Sequence, residues 1–410
     1  MSDKDKIFAY LDAATEGYVE LESLLTSIPA IAPEAGGEGE ARKAEALLAW
    51  LAKRGIARIE RYDSPDPRVP GGRRPNIVAT IPGKRDELGR LWIMSHLDVV
   101  PEGERSMWRS DPFTVVRDGG RLRGRGVEDN QQGLVASVFA ALAFLDSGIA
   151  PERTIKLLFV ADEEVGSAHG IQHVLKAAKL FRPEDLILVP DGGSKDGSEI
   201  EVAEKNICWL KVVTTGKQCH ASTPDEGANA FLAACDLALR VHALEKSAFP
   251  ARDPLFQPDR TTIQPTKKEP NVPNVNTIPG EDVFHFDMRI LPCYPVASVL
   301  AEVAKAMRAV EGEYGVKMEY EIVQSNESKA TSAEAPVVGA LAAAVEEVYG
   351  VKARAIGIGG GSVAAYLRNA GFDCVVWARM EDTAHQPNES VRLEDIAGDA
   401  KVFASLAMRA

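Results

Sequence analysis

Carboxylate and imidazole groups recur in this chain where hydrophobic runs stop. The run 91–95 stops at His96-Leu97-Asp98, the run 155–161 at Asp162-Glu163-Glu164, and the run 186–190 at Asp191. The segment Gly124-Arg125-Gly126-Val127-Glu128-Asp129 leads into an uncharged, mostly apolar stretch over 133–145. Carboxylates converging on one place repel each other unless a cation lies among them. Oxygen and imidazole donors without thiolates suit zinc, cobalt or manganese. Each group alone has an ordinary reading. Asp98 fits an N-cap or turn, Glu163-Glu164 an acidic helix start, and Asp191-Gly192-Gly193 a turn. Their repetition at successive strand ends points to a single cation site.

The elements that must position these groups follow from periodicity. Runs at 76–81, 91–95, 155–161 and 186–190 read as strands, and 134–146 and 171–179 as helices. Strands that are nearly continuous in apolar residues and alternate with helices predict an α/β sheet covered on both faces. In such sheets ligands sit at the carboxyl ends of the strands. The Pro- and Gly-rich stretch 61–75 reads as a loop. From about Ile207 the pattern becomes strand 209–215, helix 228–244, strand 283–291, helix 296–310 and strand 317–323. That sequence predicts a small α+β domain with one half-exposed sheet. Between its halves lies a Pro-rich stretch, 249–279, without clear periodicity. The end returns to α/β, with a helix at 337–349, a Gly-rich loop, strand 374–378 and helix 393–408. The expected organisation is residues 1–207 with 325–410 as one domain and 208–324 inserted into it, the chain crossing twice.

Composition removes other classes. Of 410 residues, 45% are hydrophobic and the net charge is −13, which excludes disorder for the bulk of the chain and argues against a nucleic-acid surface. The 133–145 run is shorter than the ~20 residues a membrane span needs. The charged first residues do not resemble a secretory leader. The five cysteines, Cys208, Cys219, Cys235, Cys293 and Cys374, are odd in number and lack CxxC spacing, so a reducing cytoplasm is expected.

From about Leu47 onward the chain resembles the dinuclear-zinc hydrolases that include acetylornithine deacetylase, succinyl-diaminopimelate desuccinylase, aminoacylase and carboxypeptidase G, among them an uncharacterised metallohydrolase subgroup. The motifs are SHLDVVPEG (95–103), RGRGVEDNQQG (123–133), ADEEVGS (161–167), PDGG (190–193), GKQCHASTPDEGANA (216–230), NTIPG (276–280), FDMRILP (286–292), GIGGGS (357–362) and TAHQPNE (383–389). The resemblance implies a mixed-sheet zinc-exopeptidase-like catalytic domain with an inserted ferredoxin-like lid and dimerisation domain. It implies two divalent metal ions per subunit, zinc first, with cobalt or manganese as alternatives. His96 and Asp191 would hold one ion, Glu164 and His385 the other, and Asp129 would bridge them. Glu163 would be the general base and acid, and Asp98 would fix the His96 tautomer. His220 and Asn276 would reach the partner's site in a homodimer. Arg289 would grip a substrate carboxylate, with a structural salt bridge as its ordinary alternative. Backbone N–H groups of Gly360, Gly361 and Ser362, at an expected helix start, would meet a second anionic contact.

The chain departs from the pattern in two places. Asn130-Gln131-Gln132 stands where many relatives carry Lys, and Asp191 stands where the deacetylases usually carry Glu. The expected reaction is amide cleavage of a small N-acyl amino acid with a free carboxylate, with dipeptidase or aminopeptidase activity as the alternative that Asp191 favours. Two remoter readings compete. One is a nucleotide-dependent oxidoreductase using 357–361 as a dinucleotide loop, although that loop lies late in the chain and lacks the proper context. The other is a non-catalytic binding protein on the same scaffold.

Overall fold

The computed structural model describes residues 1–410. The chain forms two compact units: Met1–Val202 with Thr331–Ala355 and Tyr366–Ala410, and Ala203–Ala330 with Ile356–Ala365. The chain therefore crosses between units four times, not twice, because the Gly-rich segment joins the second unit. That segment is held by second-unit groups. The Gly357 N–H donates to the Leu255 carbonyl at 2.7 Å, and the Lys205 N–H donates to the Ile358 carbonyl at 3.0 Å. Only glycine fits at 357, since a Cβ there would lie 2.4 Å from the Phe256 ring.

The first unit is built on a mixed sheet of eight strands, the last two of which end on residues of the second unit. Its order is Ile59–Arg61, Ile77–Ile81, Ile155–Val160, Leu91–His96, Leu186–Ser194, Cys374–Arg379, Glu199–Glu204 and Arg354–Ile358. The four strands from Ile155–Val160 to Cys374–Arg379 are parallel. Their carboxyl ends thus emerge along one edge, where the acidic and imidazole residues lie. Nearly every residue of Leu91–His96, Ile155–Val160 and Cys374–Arg379 is buried, as are residues 186–190 of the fourth, as parallel strands covered on both faces require.

The helix Gln131–Ser147 is buried almost all round, which fits its lack of charge until Asp146. Three N-terminal helices, Asp3–Ala13, Thr15–Thr26 and Ala41–Lys53, were not anticipated from the pattern. The first begins at a capping box, in which Ser2 and Asp5 satisfy each other's backbone N–H groups. Tyr18 and Trp50, from the second and third, pack edge-on and tilted against Phe139 of the buried helix, with ring centroids 4.7 and 5.8 Å apart. Deleting the Phe139 ring would cost about 3–5 kcal/mol by opening a cavity between these helices.

The second unit carries a four-stranded antiparallel sheet in the order Thr262–Lys268, Glu281–Ile290, Asn206–Thr215, Lys317–Asn326. With helices Ala230–Ser247 and Val296–Tyr314 this gives β-α-β-β-α-β connectivity, the expected ferredoxin-like arrangement. Alternate residues Leu210, Val212, Phe284, Phe286 and Met288 form its core with Leu237, Val241, Val299 and Val303 of the helices. The strand Thr262–Lys268 lies inside the stretch that showed no periodicity. Only Ile263 of it is buried, and Pro265 is tolerated because the strand is at the sheet edge. No cysteine is paired, and no helix is long and apolar enough to cross a membrane.

Candidate metal centre

His96 ends the strand Leu91–His96 and is almost wholly buried. Its Nδ1 lies 3.0 Å from the Asp98 carbonyl oxygen. A carbonyl only accepts, so Nδ1 carries the proton and the neutral ring leaves a lone pair on Nε2. That lone pair faces Asp129 Oδ1 at 2.9 Å and Asp191 Oδ1 at 3.4 Å. The expected partner of His96 is therefore corrected. The Asp98 main chain fixes the tautomer, while its carboxylate, 3.6 Å from Nδ1, is too far for a hydrogen bond. The Asp98 carboxylate accepts instead the N–H groups of Glu163, at 3.1 Å, and Glu164, at 3.0 Å.

Glu163 and Glu164 occupy a single 3₁₀ turn, Glu163–Val165, directly after the strand Ile155–Val160. The turn is entered through Asp162 in the left-handed region, at φ 68°. Aspartate tolerates that conformation better than most residues. The buried Arg74 donates to Asp162 Oδ1 at 2.6 Å and is paired with Glu40, which also accepts the Asp162 N–H.

The strand bearing Asp191 does not stop at Pro190 but runs to Ser194. Val376 pairs with Val189 and Ala378 with Gly193, so the residues between form a bulge. Pro190 has no N–H for the ladder, and a bulge re-aims the side chain that follows. Asn130 fastens this bulge, donating from Nδ2 to the Pro190 carbonyl at 2.6 Å and to Asp191 Oδ1 at 2.9 Å. Its own Oδ1 accepts the His96 N–H at 3.3 Å. Gly133 lets the buried helix seat here, because a Cβ would lie 2.5 Å from the Pro190 ring.

Asp129 is shared between the two histidines. Its Oδ1 faces His96, and its Oδ2 lies 2.9 Å from His385 Nε2, which also lies 3.0 Å from Glu164 Oε2. Ligand atoms of His96, Glu163 and Asp191 fall within 4.8 Å of one another, as do those of His96, Asp129 and Glu164. The first unit therefore brings together every residue expected at the metal site.

The electrostatics agree with a cation in this place. Burial pushes the carboxyls of Glu163, Glu164 and Asp191 above their ordinary range, and in Glu163 the Asp191 charge adds to the push. Burial opposes a charged His96, but Asp191 and Asp129 outweigh it and raise its pKa. Hydrogen bonds to Asp129 and Glu164 push His385 up to about 10. The carboxylates around both imidazoles therefore call for positive charge at this place. Divalent cations would balance them with neutral imidazoles as donors, and the donor set of nitrogen and carboxylate oxygen fits zinc-like ions.

The substrate-contact candidates all lie in the second unit. His220 belongs to the short strand Cys219–His220, which pairs with Thr277–Ile278 and so stands beside Asn276. The Ser222 N–H donates to His220 Nδ1 at 3.1 Å, which leaves the proton of the neutral ring on Nε2. The Arg289 guanidinium forks onto Asp287 at 2.7 and 3.0 Å and donates to the Gly359 carbonyl at 2.9 Å. Gly360 and Gly361 lie in the loop before Ser362, whose N–H donates to Glu204 at 3.0 Å and whose hydroxyl donates to the same carboxylate at 2.6 Å. The expected helix start is only the six-residue Ala364–Asn369, and the Ser362 N–H expected to meet an anion already has one in Glu204.

Asn130 and Arg74 escaped the sequence reading. The Asn130-Gln131-Gln132 departure was visible, but its meaning was not. All three side chains are buried, and Gln132 donates to the Arg379 carbonyl and to Asp399, both at 2.7 Å.

Residues 92–409 match the model of peptidase family M20/M25/M40. An uncharacterised metallohydrolase of Methanocaldococcus jannaschii is 37% identical over 95% of this chain and 98% of its own. A succinyl-diaminopimelate desuccinylase of Methylobacterium is 27% identical over 92% of each chain. Among solved structures, aminopeptidase PepT from Bacillus cereus superposes with a TM-score of 0.76 at 19% identity, covering 96% of this chain and 98% of that one. These matches set aside both the oxidoreductase and the non-catalytic readings. The chain belongs to peptidase family M20/M25/M40, metal-dependent hydrolases of amide and peptide bonds.

Proposed function

We propose that this protein hydrolyses the amide bond of a small N-acyl amino acid bearing a free carboxylate, in the manner of acetylornithine deacetylase or succinyl-diaminopimelate desuccinylase. The observation that carries the reading is Asp129, whose two oxygens each lie 2.9 Å from a different imidazole Nε2. Placing one oxygen of Asp129 toward each candidate imidazole supports a bridging role for it in this reading. In this reading His96 and Asp191 hold one divalent ion and Glu164 and His385 the other, with zinc as the first choice and cobalt or manganese as alternatives. Bound there, the ions would polarise the amide carbonyl and make water a stronger acid. Glu163 accepts the proton of the attacking water and delivers it to the leaving nitrogen. Glu163 is half-buried, and its partial burial raises its carboxyl above the ordinary range, which favours holding the proton between the two transfers.

The rest of the proposal concerns partners and place. His220 and Asn276 complete the site of a second copy in a homodimer, and Arg289 with the backbone of Gly360 and Gly361 meets the substrate carboxylate. The substrate is a small molecule, without nucleic acid or membrane as partner. A reducing cytoplasm suits five unpaired cysteines. Aminopeptidase or dipeptidase action on the same site is the second reading, favoured by Asp191 in place of Glu and by the likeness to an aminopeptidase fold.

The test is turnover of acetylornithine, succinyl-diaminopimelate and simple dipeptides at matched metal loading, with elemental analysis of the same samples. Preferred turnover of an acylated amino acid by protein with two ions per chain supports the proposal. Active protein without metal overturns the mechanism. Preferred dipeptide turnover selects the second reading. A monomer by light scattering at assay concentration removes the role given to His220 and Asn276.

A further inference from the structure

Two buried glutamates beside the candidate ligands are not themselves ligands, and each reaches into the other's loop. Glu128 precedes Asp129, and Glu389 follows His385 by four residues. Both are at most 2% exposed. The Glu389 carboxylate accepts the N–H groups of Glu128 at 2.9 Å and Asp129 at 3.0 Å on one oxygen. On the other it accepts the Gly126 N–H at 3.0 Å and the Arg125 guanidinium at 2.6 Å. The Glu128 carboxylate does the converse. It accepts the Glu381 N–H at 2.6 Å, the Thr383 hydroxyl at 2.6 Å and the Thr383 N–H. The Thr383 oxygen in turn accepts the Ser390 N–H at 3.0 Å, closing the loop that carries His385.

We infer that Glu128 and Glu389 form a reciprocal pair of positioning residues that sets the Asp129–His385 separation. The inference rests on Asp129 and His385 being metal ligands as proposed above. Neither loop has regular structure of its own at these residues, and His385 sits at φ 62°, where few non-glycine residues settle unaided. Buried backbone donors must find acceptors, and here a carboxylate from the opposite loop supplies them. Each loop is therefore complete only when the other is in place. The two roles are not equivalent. Glu389 holds the amide of Asp129, the bridging ligand, so its loss acts on both cations. Glu128 holds the loop of His385, which serves one cation, so its loss acts on one.

The experiment is a titration of metal-stripped full-length protein with zinc against a chelating indicator, with circular dichroism and thermal melting on the same samples. Wild type is expected to bind two ions per chain. Glu128→Ala is expected to keep one binding event at wild-type affinity and weaken the other by about 10–100-fold, the usual scale for outer groups around a metal. Glu389→Gln is expected to weaken both events. Glu128→Gln keeps the volume but points an amide N–H₂ at backbone donors, and it carries the same test if the alanine variant does not fold. A purely structural role would lower the melting temperature without separating the two events. Two unchanged events, or two equally weakened ones, in the Glu128 variants overturn the inference. So does failure of both Glu128 variants to fold. Unchanged binding by Glu389→Gln overturns the Glu389 half. Wild type that binds fewer than two ions refutes the dinuclear reading itself, which is a different result.

Discussion

Asp98 and Glu164 are tied through the main chain: Asp98 Oδ2 accepts the Glu164 N–H at 3.0 Å, while Oδ1 accepts that of Glu163 at 3.1 Å. One carboxylate thus aims both members of the acidic pair. In Asp98→Asn one of the two acceptors becomes an N–H₂ group facing a donor. The expected result is a fall of roughly 10–100-fold in kcat/KM with the fold intact. Steady-state kinetics beside circular dichroism checks it, and unchanged kinetics would remove the positioning role of Asp98.

Glu163 lies within reach of His96 and Asp191 and makes the proton transfer in the proposed reaction. Glu163→Gln keeps its size but cannot take a proton. It is expected to lower kcat by about 10²–10⁴-fold, the usual contribution of a general base. Metal content by elemental analysis should stay at the wild-type level. Wild-type turnover in this variant reassigns the base.

Removal of metal should be felt in stability as well as in activity. Ions that bind only the folded chain stabilise it by ~2.7 kcal/mol at a free concentration one hundred times Kd. A strong chelator is therefore expected to abolish turnover and lower Tm by about 3 °C or more. Asp129→Ala, which removes the shared carboxylate, should melt at one temperature with or without chelator. A chelator-dependent Tm in that variant would place the ions elsewhere.

Asp399 gives a pH dependence independent of the metal residues. Burial, with Asp395 nearby, raises its carboxyl from 3.8 to about 8, against the hydrogen bonds from Gln132 and Tyr349. A folded-state pKa above the unfolded value means stability is fully present below about pH 4. It is lost as pH rises toward 8, where the unfolded chain has released a proton that the folded chain retains. Wild type is expected to lose several degrees of Tm over that range, and Asp399→Asn to lose ~4 °C less. Parallel Tm profiles for the two proteins would show that Asp399 does not keep its proton on folding.

Arg289 has two candidate roles that kinetics separate. As a structural ion pair with Asp287, its loss lowers Tm and leaves KM alone. As a carboxylate contact, Arg289→Ala raises KM by about 10-fold or more for free-acid substrates and little for their amide-capped forms, as loss of a charge-assisted bond implies. The second pattern is expected. An equal change for both substrates would leave Arg289 as scaffold.

His96, Glu164 and Asp191 were legible because hydrophobic runs that end abruptly in His or acidic residues mark strand ends, and parallel strands bring such ends together, whereas Asp129 and His385 lie in loops and came as ligands from the resemblance alone. What escaped depends on partners distant in sequence. The bulge at Asp191 exists because Pro190 meets the strand Cys374–Arg379, and nothing local signals that register. Asp98 was expected to serve His96 with its side chain, but the main chain two residues on is closer, and spacing cannot separate the two. The strand Thr262–Lys268 hid because a polar edge strand with one buried residue has no alternation to read. Glu128 and Glu389 stood in the quoted motifs, yet each finds its donors more than 250 residues away.

The order of the large sheet bears on how this chain is made. Cys374–Arg379 is among the last strands to be synthesised, yet it lies between Leu186–Ser194 and Glu199–Glu204. Until it emerges, the ribosome holds a chain with an unsealed seam down the middle of its largest sheet. An open seam between the unpaired edges of Leu186–Ser194 and Glu199–Glu204 invites pairing with the wrong strand. Mispairing at this seam stays open until residues 374–379 have left the ribosome, so a chaperone that shields unpaired strand edges would act there before the chain is complete.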